Sequence, residues 1–446
     1  MPYKSDNRGV GSQVLELSEE MSNGLDLFDY PQEDTSIISG KTIEHHLATA
    51  LNENNNVFEF IIPSEGHDYT YLPMTRLEGE LKIEKTGANA GRVAAADLVA
   101  PINLMAIALF RQAECELNGV QIADLTSPNF HYKNYFETML TYGNDAKKTH
   151  LRNCLYYPDT VGKEETFTGD CESFVKRKAF LTQSADNTFQ FSTPIHIDFF
   201  DSKRFLIPGV TIKLKLIKND DKFLLMSATD TWKLSIKNLK IVTRKLTIHP
   251  QIVEKHKEMI QKQPAIYPIS QSKIKTYIIN PGISSTNISG IYRGKLPRSL
   301  IFGFVKSAGF NGSFDTNPWL FKHFNVSYVG LTINGTPVPA TVFQPDFANG
   351  KCIREYRHLL DNLGIYHENE SNMIDFEMYK NNTSLFAYDL TPDLCNSYHN
   401  HIENSGFINL DLQFKNALTE NITLIVFATF NETVKIDAAG QVILDQ

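Results

Sequence analysis

The chain contains one series of local features twice, in the same order. An alternating apolar segment meets an Asn-Gly pair at residues 118–119 and again at residues 334–335, 216 positions later. A helical pattern, a strand ending in aspartate, a glycine-containing loop and further strands follow each pair. Such internal repetition predicts two copies of one domain. Further corresponding residues are Phe130 and Phe347, Tyr135 and Tyr356, Asp198 and Asp389, and Gly209 and Gly406.

The repeated segments alternate apolar and polar residues with a period of two, which is typical of half-buried antiparallel strands. Clear examples are RLEGELKI at residues 76–83, IKLKLIK at 212–218 and FINLDLQF at 407–414. Phe, Ile, Val and Tyr are frequent in these segments, and turn residues separate them at intervals typical of sandwiches. The pattern predicts an all-β fold in which each copy packs two sheets face to face.

Chain length supports the same division, because single cores rarely grow beyond about 250–300 residues and this chain has 446. The predicted boundaries are residues 1–56 for an N-terminal arm, 57–248 for the first sandwich, 249–266 for a linker, 267–437 for the second sandwich and 438–446 for a C-terminal tail.

Helical patterns are few and short. Ser127 and Pro128 are a typical N-cap and first-turn residue for a helix. Its counterpart is expected at residues 351–362, and a further helical turn is expected to begin at Thr391. The linker is predicted to be partly helical, with the helical part ended by Pro264.

Composition excludes several classes of protein. A net charge of −8 argues against strong direct nucleic-acid binding. Since no window approaches ~18 consecutive apolar residues, no membrane span is predicted. The first residues, MPYKSDNRGVGSQ, lack the apolar region of a secretory signal.

The scattered cysteines, which form no C-x-x-C pair, are typical of buried thiols in a reducing compartment. They are Cys115, Cys154, Cys171, Cys352 and Cys395.

SGKT at residues 39–42 has the ending of a phosphate-binding loop. That motif requires glycine five positions before Gly40, where this chain has Thr35, and a preceding hydrophobic strand, which is missing. GVG at residues 9–11 is neither preceded by a strand pattern nor followed by a helical one. Nucleotide binding is therefore not predicted.

The most specific candidate for a metal site is HNHIENSG at residues 399–406. His399 and His401 would lie on one face of a strand, with Glu403 as a third ligand. Two-domain cupins have such sites on duplicated sandwiches, but their glutamate follows the second histidine by three or four positions, whereas Glu403 follows by two. The corresponding loop of the first half, residues 201–208, contains no histidine. We therefore predict no metal and no cofactor.

Other polar clusters lack recognisable catalytic partners. His45 and His46 are adjacent, and DFFD at residues 198–201 places two carboxylates at a strand end. Such carboxylates more often cap turns than act as an acid–base pair. No GxSxG motif and no recognisable Cys–His arrangement is present. We predict no catalytic residues and expect that the chain is not an enzyme.

Several longer stretches of the chain form a long, ordered series of motifs. They are LPRSLIFGFVKSAGFNGSFDTNPWLFKHFNVSYVGLTINGTPVPATVFQPDFANGKCIREYRHLL (residues 296–360), LFAYDLTPDL (residues 385–394) and the closing FINLDLQF and VFATFNETVKID. These stretches resemble the major capsid proteins of Maverick/Polinton elements and adintovirus-like double-stranded DNA viruses. The resemblance is strongest over about residues 290–440. It is looser over the first half of the chain, through PINLMAIALFRQAECELNGVQI and NYFETMLTYG, and the N-terminal arm contributes little.

This resemblance implies a double jelly-roll, with two tandem eight-stranded sandwiches side by side and short helices in the loops. It also implies a structural protein of the virion, assembled inside the host cell. Three chains would form a homotrimer of pseudo-sixfold outline, and these capsomers would tile an icosahedral shell around double-stranded DNA. The implied partners are neighbouring capsomers and a penton or minor capsid protein.

Two other functions remain open from the residues alone. A β-sandwich ligand-binding module, such as a lectin-like protein, would be secreted, which the polar N-terminus and the scattered cysteines argue against. A bicupin-type metalloprotein would bind metal through His399 and His401, which the spacing of Glu403 argues against.

Overall fold

The computed structural model describes residues 34–445, apart from residues 53–54, 65, 88–89, 123–128, 168–169, 185, 230, 393 and 395–400. Strands predominate in both halves, as the alternation predicts. Those of the first half are β1 (Ile37–His46), β2 (Val57–Ile62), β3 (Tyr69–Lys85), β4 (Gly91–Arg92), β5 (Val99–Pro101), β6 (Phe110–Leu117), β7 (Val120–Gln121), β8 (Thr188–Pro194), β9 (Ile212–Lys218), β10 (Leu225–Ser227) and β11 (Trp232–Ile248). Those of the second half are β12 (Ala265–Ile279), β13 (Ser285–Ile288), β14 (Arg293–Lys295), β15 (Ser299–Lys306), β16 (Val326–Ile333), β17 (Thr336–Phe343), β18 (Phe386–Asp389), β19 (Ser405–Phe414), β20 (Ile422–Ile436) and β21 (Val442–Asp445).

Short helices occupy the connections between strands. Among the described residues, no helix is both long and apolar enough to span a membrane. The α-helices are α1 (Met105–Ala108), α2 (Phe130–Thr141), α3 (Asn144–Lys148), α4 (Glu172–Thr182), α5 (Asp221–Leu224), α6 (Pro250–Ile260), α7 (Ser307–Asn311), α8 (Ile353–Asn362) and α9 (Phe376–Asn381), and 3-10 turns span His150–Cys154, Asp198–Asp201 and Phe347–Asn349.

Both halves have the same strand order. In the first, β1-β11-β3-β8 form one sheet and β2-β9-β6-β7 the other. In the second, the sheets are β12-β20-β15-β18 and β13-β19-β16-β17. If the eight main strands of each half are numbered along the chain, both halves pair them as 1-8-3-6 and 2-7-4-5. All of these pairs are antiparallel, and apolar side chains from the two sheets fill the space between them.

The repeated Asn-Gly pairs form the same hairpin turn in the two sandwiches. Asn118 has φ 48° and Gly119 has φ 83°, while Asn334 has φ 51° and Gly335 has φ 83°. Positive φ at both central residues is the requirement of a two-residue type I′ turn, which asparagine and glycine meet at the least steric cost. These turns join β6 to β7 and β16 to β17, so the repetition in the sequence is a repetition of structure.

The sandwiches extend beyond two of the predicted boundaries. Strand β1 lies inside the predicted arm of residues 1–56, yet it pairs with β11 from Ile37 opposite Ile248 to His46 opposite Lys240. We therefore propose that the first sandwich begins at Ile37 and not at residue 57. Most of β1 is exposed, so it lacks the apolar stripe that marks the other strands. Strand β21 likewise lies in the predicted tail of residues 438–446 and pairs with β20.

The linker is helical, as predicted. Helix α6 has Pro250 at its first position, and the His249 side chain accepts a hydrogen bond from the backbone N–H of Gln251. Pro264 follows the helix and directly precedes β12. Ser127 and Pro128 lie outside the described residues, and so does Asp393. Thr391 and Pro392 lie in a bend and a turn.

Candidate functional site

The described residues that the sequence suggests for phosphate or metal binding lie in a strand or contact other protein side chains. SGKT at residues 39–42 lies within strand β1, not in a loop. His45 Nε2 is 3.0 Å from Thr243 Oγ1 on the neighbouring strand. Glu403 lies 2.8 Å from Lys295 Nζ, and His399 lies outside the described residues. Within the described ranges, no three His, Cys, Asp or Glu side chains are grouped so that they could hold a metal ion.

Four cysteines that the structure describes are buried as free thiols. Burial raises the pKa of the Cys352 thiol to about 11, and it also raises that of Cys154. A raised pKa makes a thiol a poor nucleophile at neutral pH. Cys395 lies outside the described residues.

The DFFD segment, by contrast, belongs to a large buried seam between the two sandwiches. Helix α2 of the first half contributes the aromatic rings of Tyr132, Tyr135 and Phe136 to it. The Tyr135 ring stacks on Trp319 of the second half, with centroids 4.4 Å apart and planes 6° apart. Phe136 contacts Phe321 at 5.3 Å and Phe427 at 5.5 Å between centroids. The helical spacing of aromatic residues in α2 therefore reflects a face that packs against the other sandwich.

Hydrogen bonds cross the seam beside these rings. Trp319 Nε1 donates to the carbonyl of Asn103 over 2.7 Å. Lys147 Nζ donates to the carbonyls of Met139 at 2.9 Å and Asn372 at 2.5 Å, and burial lowers the pKa of this lysine to about 8. Because buried polar groups are costly when unpaired, the bonds from Trp319 to Asn103 and from Lys147 to Asn372 hold the two halves in one relative position.

A charged cluster continues the seam at the edge of the second sandwich. Lys133 Nζ lies 2.7 Å from Glu137 Oε1 and 3.1 Å from Asp198 Oδ1. Glu137 Oε2 is 3.2 Å from His196 Nδ1. Asp198 Oδ2 accepts a 3.1 Å hydrogen bond from the backbone N–H of Ser272. Ser272 belongs to β12, an edge strand, so Asp198 satisfies an edge group that would otherwise need water.

Burial and charge act in different directions on the groups of this cluster. Burial raises the pKa of Asp198 despite the opposing charge of Lys133, and it also raises the pKa of Asp201. For Glu137, burial raises the pKa, but the Lys133 charge and the His196 hydrogen bond lower it by more. The pKa of Glu137 is therefore lowered. Lys133 itself keeps a raised pKa, because Asp198 and Glu137 outweigh its burial. Lys133 is the cation on which these buried carboxylates depend.

We expect Asp198→Asn to change how stability depends on pH. The folded-state pKa of Asp198 is raised, so its contribution to stability is present below about pH 4 and is lost as the pH rises through the folded value. The free energy of unfolding of the wild type should therefore decline relative to the variant between about pH 4 and pH 7. The slope should be at most about 1.4 kcal/mol per pH unit. Urea unfolding at each pH measures it.

The Glu137→Gln variant provides a comparison with the opposite sign. Since the pKa of Glu137 is lowered in the folded protein, its contribution is present above about pH 4 and is lost as the pH falls further. A pH-independent difference between wild type and Asp198→Asn would contradict the assignment.

His131 is a buried polar residue of the seam whose ring packs against other aromatic rings. Its ring lies 4.5 Å from the Phe223 ring and 6.3 Å from the Trp319 ring, centroid to centroid. Within the described part of the chain, neither ring nitrogen has a hydrogen-bond partner. Burial, assisted by the charge of Arg111, lowers the pKa of His131 to about 3, so the imidazole is neutral in the folded protein.

We expect His131→Leu to make the protein less sensitive to acid. The folded-state pKa is lowered, so the stabilising contribution of His131 is present above about pH 6.5 and is lost as the pH falls toward 3. Leucine cannot titrate, and the variant should therefore gain stability over the wild type as the pH falls from 7 to 4.5. Thermal midpoints at these two pH values measure the gain. An equal difference at both values would be inconsistent with a neutral buried imidazole.

The chain is similar to known proteins at the level of both sequence and structure. No protein-family model matches the chain. An uncharacterized protein of Caenorhabditis elegans is 25% identical over 401 residues, which cover 87% of this chain and 93% of that protein.

Solved structures of viral proteins are similar over nearly the whole chain. The Sputnik virophage structure has a TM-score of 0.65 at 10% identity, covering 95% of this chain and 92% of that chain. The Faustovirus major capsid protein has a TM-score of 0.59 at 9% identity, covering 95% and 94%. The chain is a double jelly-roll. The mavirus major capsid protein shares this double jelly-roll fold, with a TM-score of 0.53 at 10% identity over 100% and 96% of the two chains. The predicted fold class is confirmed.

Proposed function

We propose that this double jelly-roll is a major capsid protein. Three copies form a homotrimeric capsomer of pseudo-sixfold outline, and capsomers tile an icosahedral shell around double-stranded DNA. The observation that carries the proposal is the pair of sandwiches with one strand order, held side by side by a buried seam. Two similar domains in each of three subunits provide six similar wedges, and six-sided blocks tile a surface.

The comparisons support this function at the level of fold. Two of the similar structures are described as major capsid proteins, those of Faustovirus and mavirus. Identities of 9–10% carry no information on lineage. We therefore base the Maverick/Polinton and adintovirus-like lineage on the resemblance of residues 290–440. The resemblance implies that similar proteins lie in animal genomes, and a relative from an animal, Caenorhabditis elegans, is consistent with that.

The proposed partners follow from a closed shell. Each capsomer contacts neighbouring capsomers and, at fivefold positions, a penton or minor capsid protein. A contact of millimolar strength contributes only about −4 kcal/mol, yet many such contacts per capsomer stabilise a lattice. With a net charge of −8, the chain would hold DNA by confinement within the virion and not by strong direct binding. We propose no enzymatic activity.

Light scattering on the purified full chain, followed by negative-stain imaging of the same peak, tests the proposal. Particles of three chain masses with a hexagonal outline are expected. A monomer that contains stoichiometric metal, lost in His399→Ala or His401→Ala, would overturn the proposal in favour of the bicupin alternative. A monomer that binds glycans without metal would favour the β-sandwich binding module.

A further inference from the structure

An apolar hollow of about 540 Å³ lies beside the linker helix α6. The helix forms one wall, the first sandwich another, and the start of β12 a third. Among the described residues of α6, only Val253 is buried. Met259 of the helix and Ile266 of β12 line the hollow and remain nearly half exposed. Apolar side chains left in this state favour a bound apolar segment.

The polar lining of the hollow includes basic side chains. Lys203, Arg204 and His256 line it, and none of its described lining residues carries a carboxylate. Arg204 Nη1 donates to the carbonyl of Ile266 over 2.5 Å, and His256 Nδ1 lies 2.9 Å from the Tyr69 hydroxyl. These bonds hold basic groups at the edge of an apolar surface. A matching ligand would combine apolar side chains with carboxylates.

Residues 14–30 of this chain, VLELSEEMSNGLDLFDY, have that composition. They contain five carboxylates, no lysine or arginine, and apolar residues that include Leu25, Leu27 and Phe28. Their position in the chain is also suitable, because Ser36, near the first described residue, lines the hollow. Six residues can span up to about 20 Å, so residues 25–30 can reach the hollow from Ser36.

We propose that the hollow beside α6 is the docking site for residues 25–30 of the same chain. Leu27 and Phe28 insert between Met259 and Ile266, while Asp26 and Asp29 face the basic side chains. Attachment at Ser36 favours this intramolecular contact, since a short connection gives an effective concentration in the millimolar range. The docked segment covers the exposed face of α6. The inference holds whether or not the chain assembles into capsomers.

Photo-crosslinking in the full-length protein tests this directly. Benzoylphenylalanine replaces Phe28, and mass spectrometry maps the crosslinked peptides in an equal mixture of isotopically light and heavy chains. We expect crosslinks to residues 250–267 within one chain. The double variant Met259→Glu and Ile266→Glu should reduce them by about tenfold or more. Ile353→Glu, at a more exposed isoleucine of α8 outside the hollow, should leave them unchanged.

Three results would overturn the proposal. Crosslinks between light and heavy chains would show that a second copy fills the hollow. Crosslinks spread over other surfaces, or insensitive to the double variant, would show that residue 28 docks elsewhere or nowhere.

A thiol measurement provides an independent check, because Met259→Cys should react with a maleimide about tenfold faster when Leu25, Leu27 and Phe28 are all replaced by aspartate. Equal rates would also count against docking.

Discussion

Replacing Lys133 with methionine should destabilise the protein by about 3–5 kcal/mol, the range typical when one partner of a buried ion pair is removed. Lys133 is 9% exposed and is the cation beside Glu137 and Asp198. Without it, these carboxylates lose a favourable charge while remaining largely shielded from water, at 21% and 16% exposed. Urea unfolding at pH 7, followed by circular dichroism, measures the loss.

Two further variants make this test specific. Lys176→Met removes an i,i+4 ion pair of similar length, 2.6 Å to Glu172, but one whose two side chains are 51% and 74% exposed. Its cost should stay below about 1 kcal/mol. Combining Lys133→Met with Glu137→Gln and Asp198→Asn should recover most of the lost stability, because no shielded carboxylate is then left unpaired. If Lys133→Met costs no more than Lys176→Met, the cluster does not stabilise the seam.

Replacing Trp319 with alanine should cost about 3–5 kcal/mol and also uncouple the two sandwiches. The side chain is 4% exposed, and large aromatic truncations in a core have costs in this range. Trp319 stacks on Tyr135 and donates to the Asn103 carbonyl, both in the first half of the chain. Calorimetry should therefore show one cooperative transition for the wild type and two for the variant.

Trp232→Ala is the matched control for this experiment. The chain has two tryptophans, and Trp232 is 5% exposed within the first sandwich, where its Nε1 donates to Ser227 Oγ over 2.8 Å. Its removal should lower the transition temperature without dividing the transition. Two independent transitions in the wild type would show that the seam does not couple the sandwiches.

Helix α2 shows what the spacing of apolar residues predicts and what it does not. The spacing of Tyr132, Tyr135 and Phe136 predicts that one face of the helix is apolar, and the structure buries all three. Periodicity does not identify the partner of that face. The partner is Trp319 and its neighbours, about 180 positions away, and only the folded chain brings them together.

The charged cluster of the seam is not predicted from the sequence. The pattern predicts that Asp198 caps a local turn, but its backbone partner is Ser272 of the other sandwich. Lys133 and Glu137 are separated by four positions, which is also the spacing of ordinary surface pairs. Strand β12, which is formed by a distant part of the chain, contacts this pair, and Ser272 Oγ donates to Glu137 Oε1 over 3.3 Å. The i,i+4 pairing was the one local signal available.

The sequence pattern also does not predict strand β1, because the partner of this strand is distant in the chain. Its residues are mostly exposed, and its pairing with β11 joins positions about 200 residues apart. Strands at an edge need little apolar alternation, because the backbone ladder provides most of their contacts.

The sequence alone determined the features that depend on near neighbours. Strand alternation, the two Asn-Gly turns and the short helices follow from side-chain size and backbone sterics within a few residues. Their repetition then predicts two copies of one sandwich. Tertiary structure decided which edges and faces meet and which charges are buried. Those outcomes depend on desolvation by atoms that are distant in the sequence, so the raised pKa of Asp198 and the lowered pKa of His131 arise only in the folded chain.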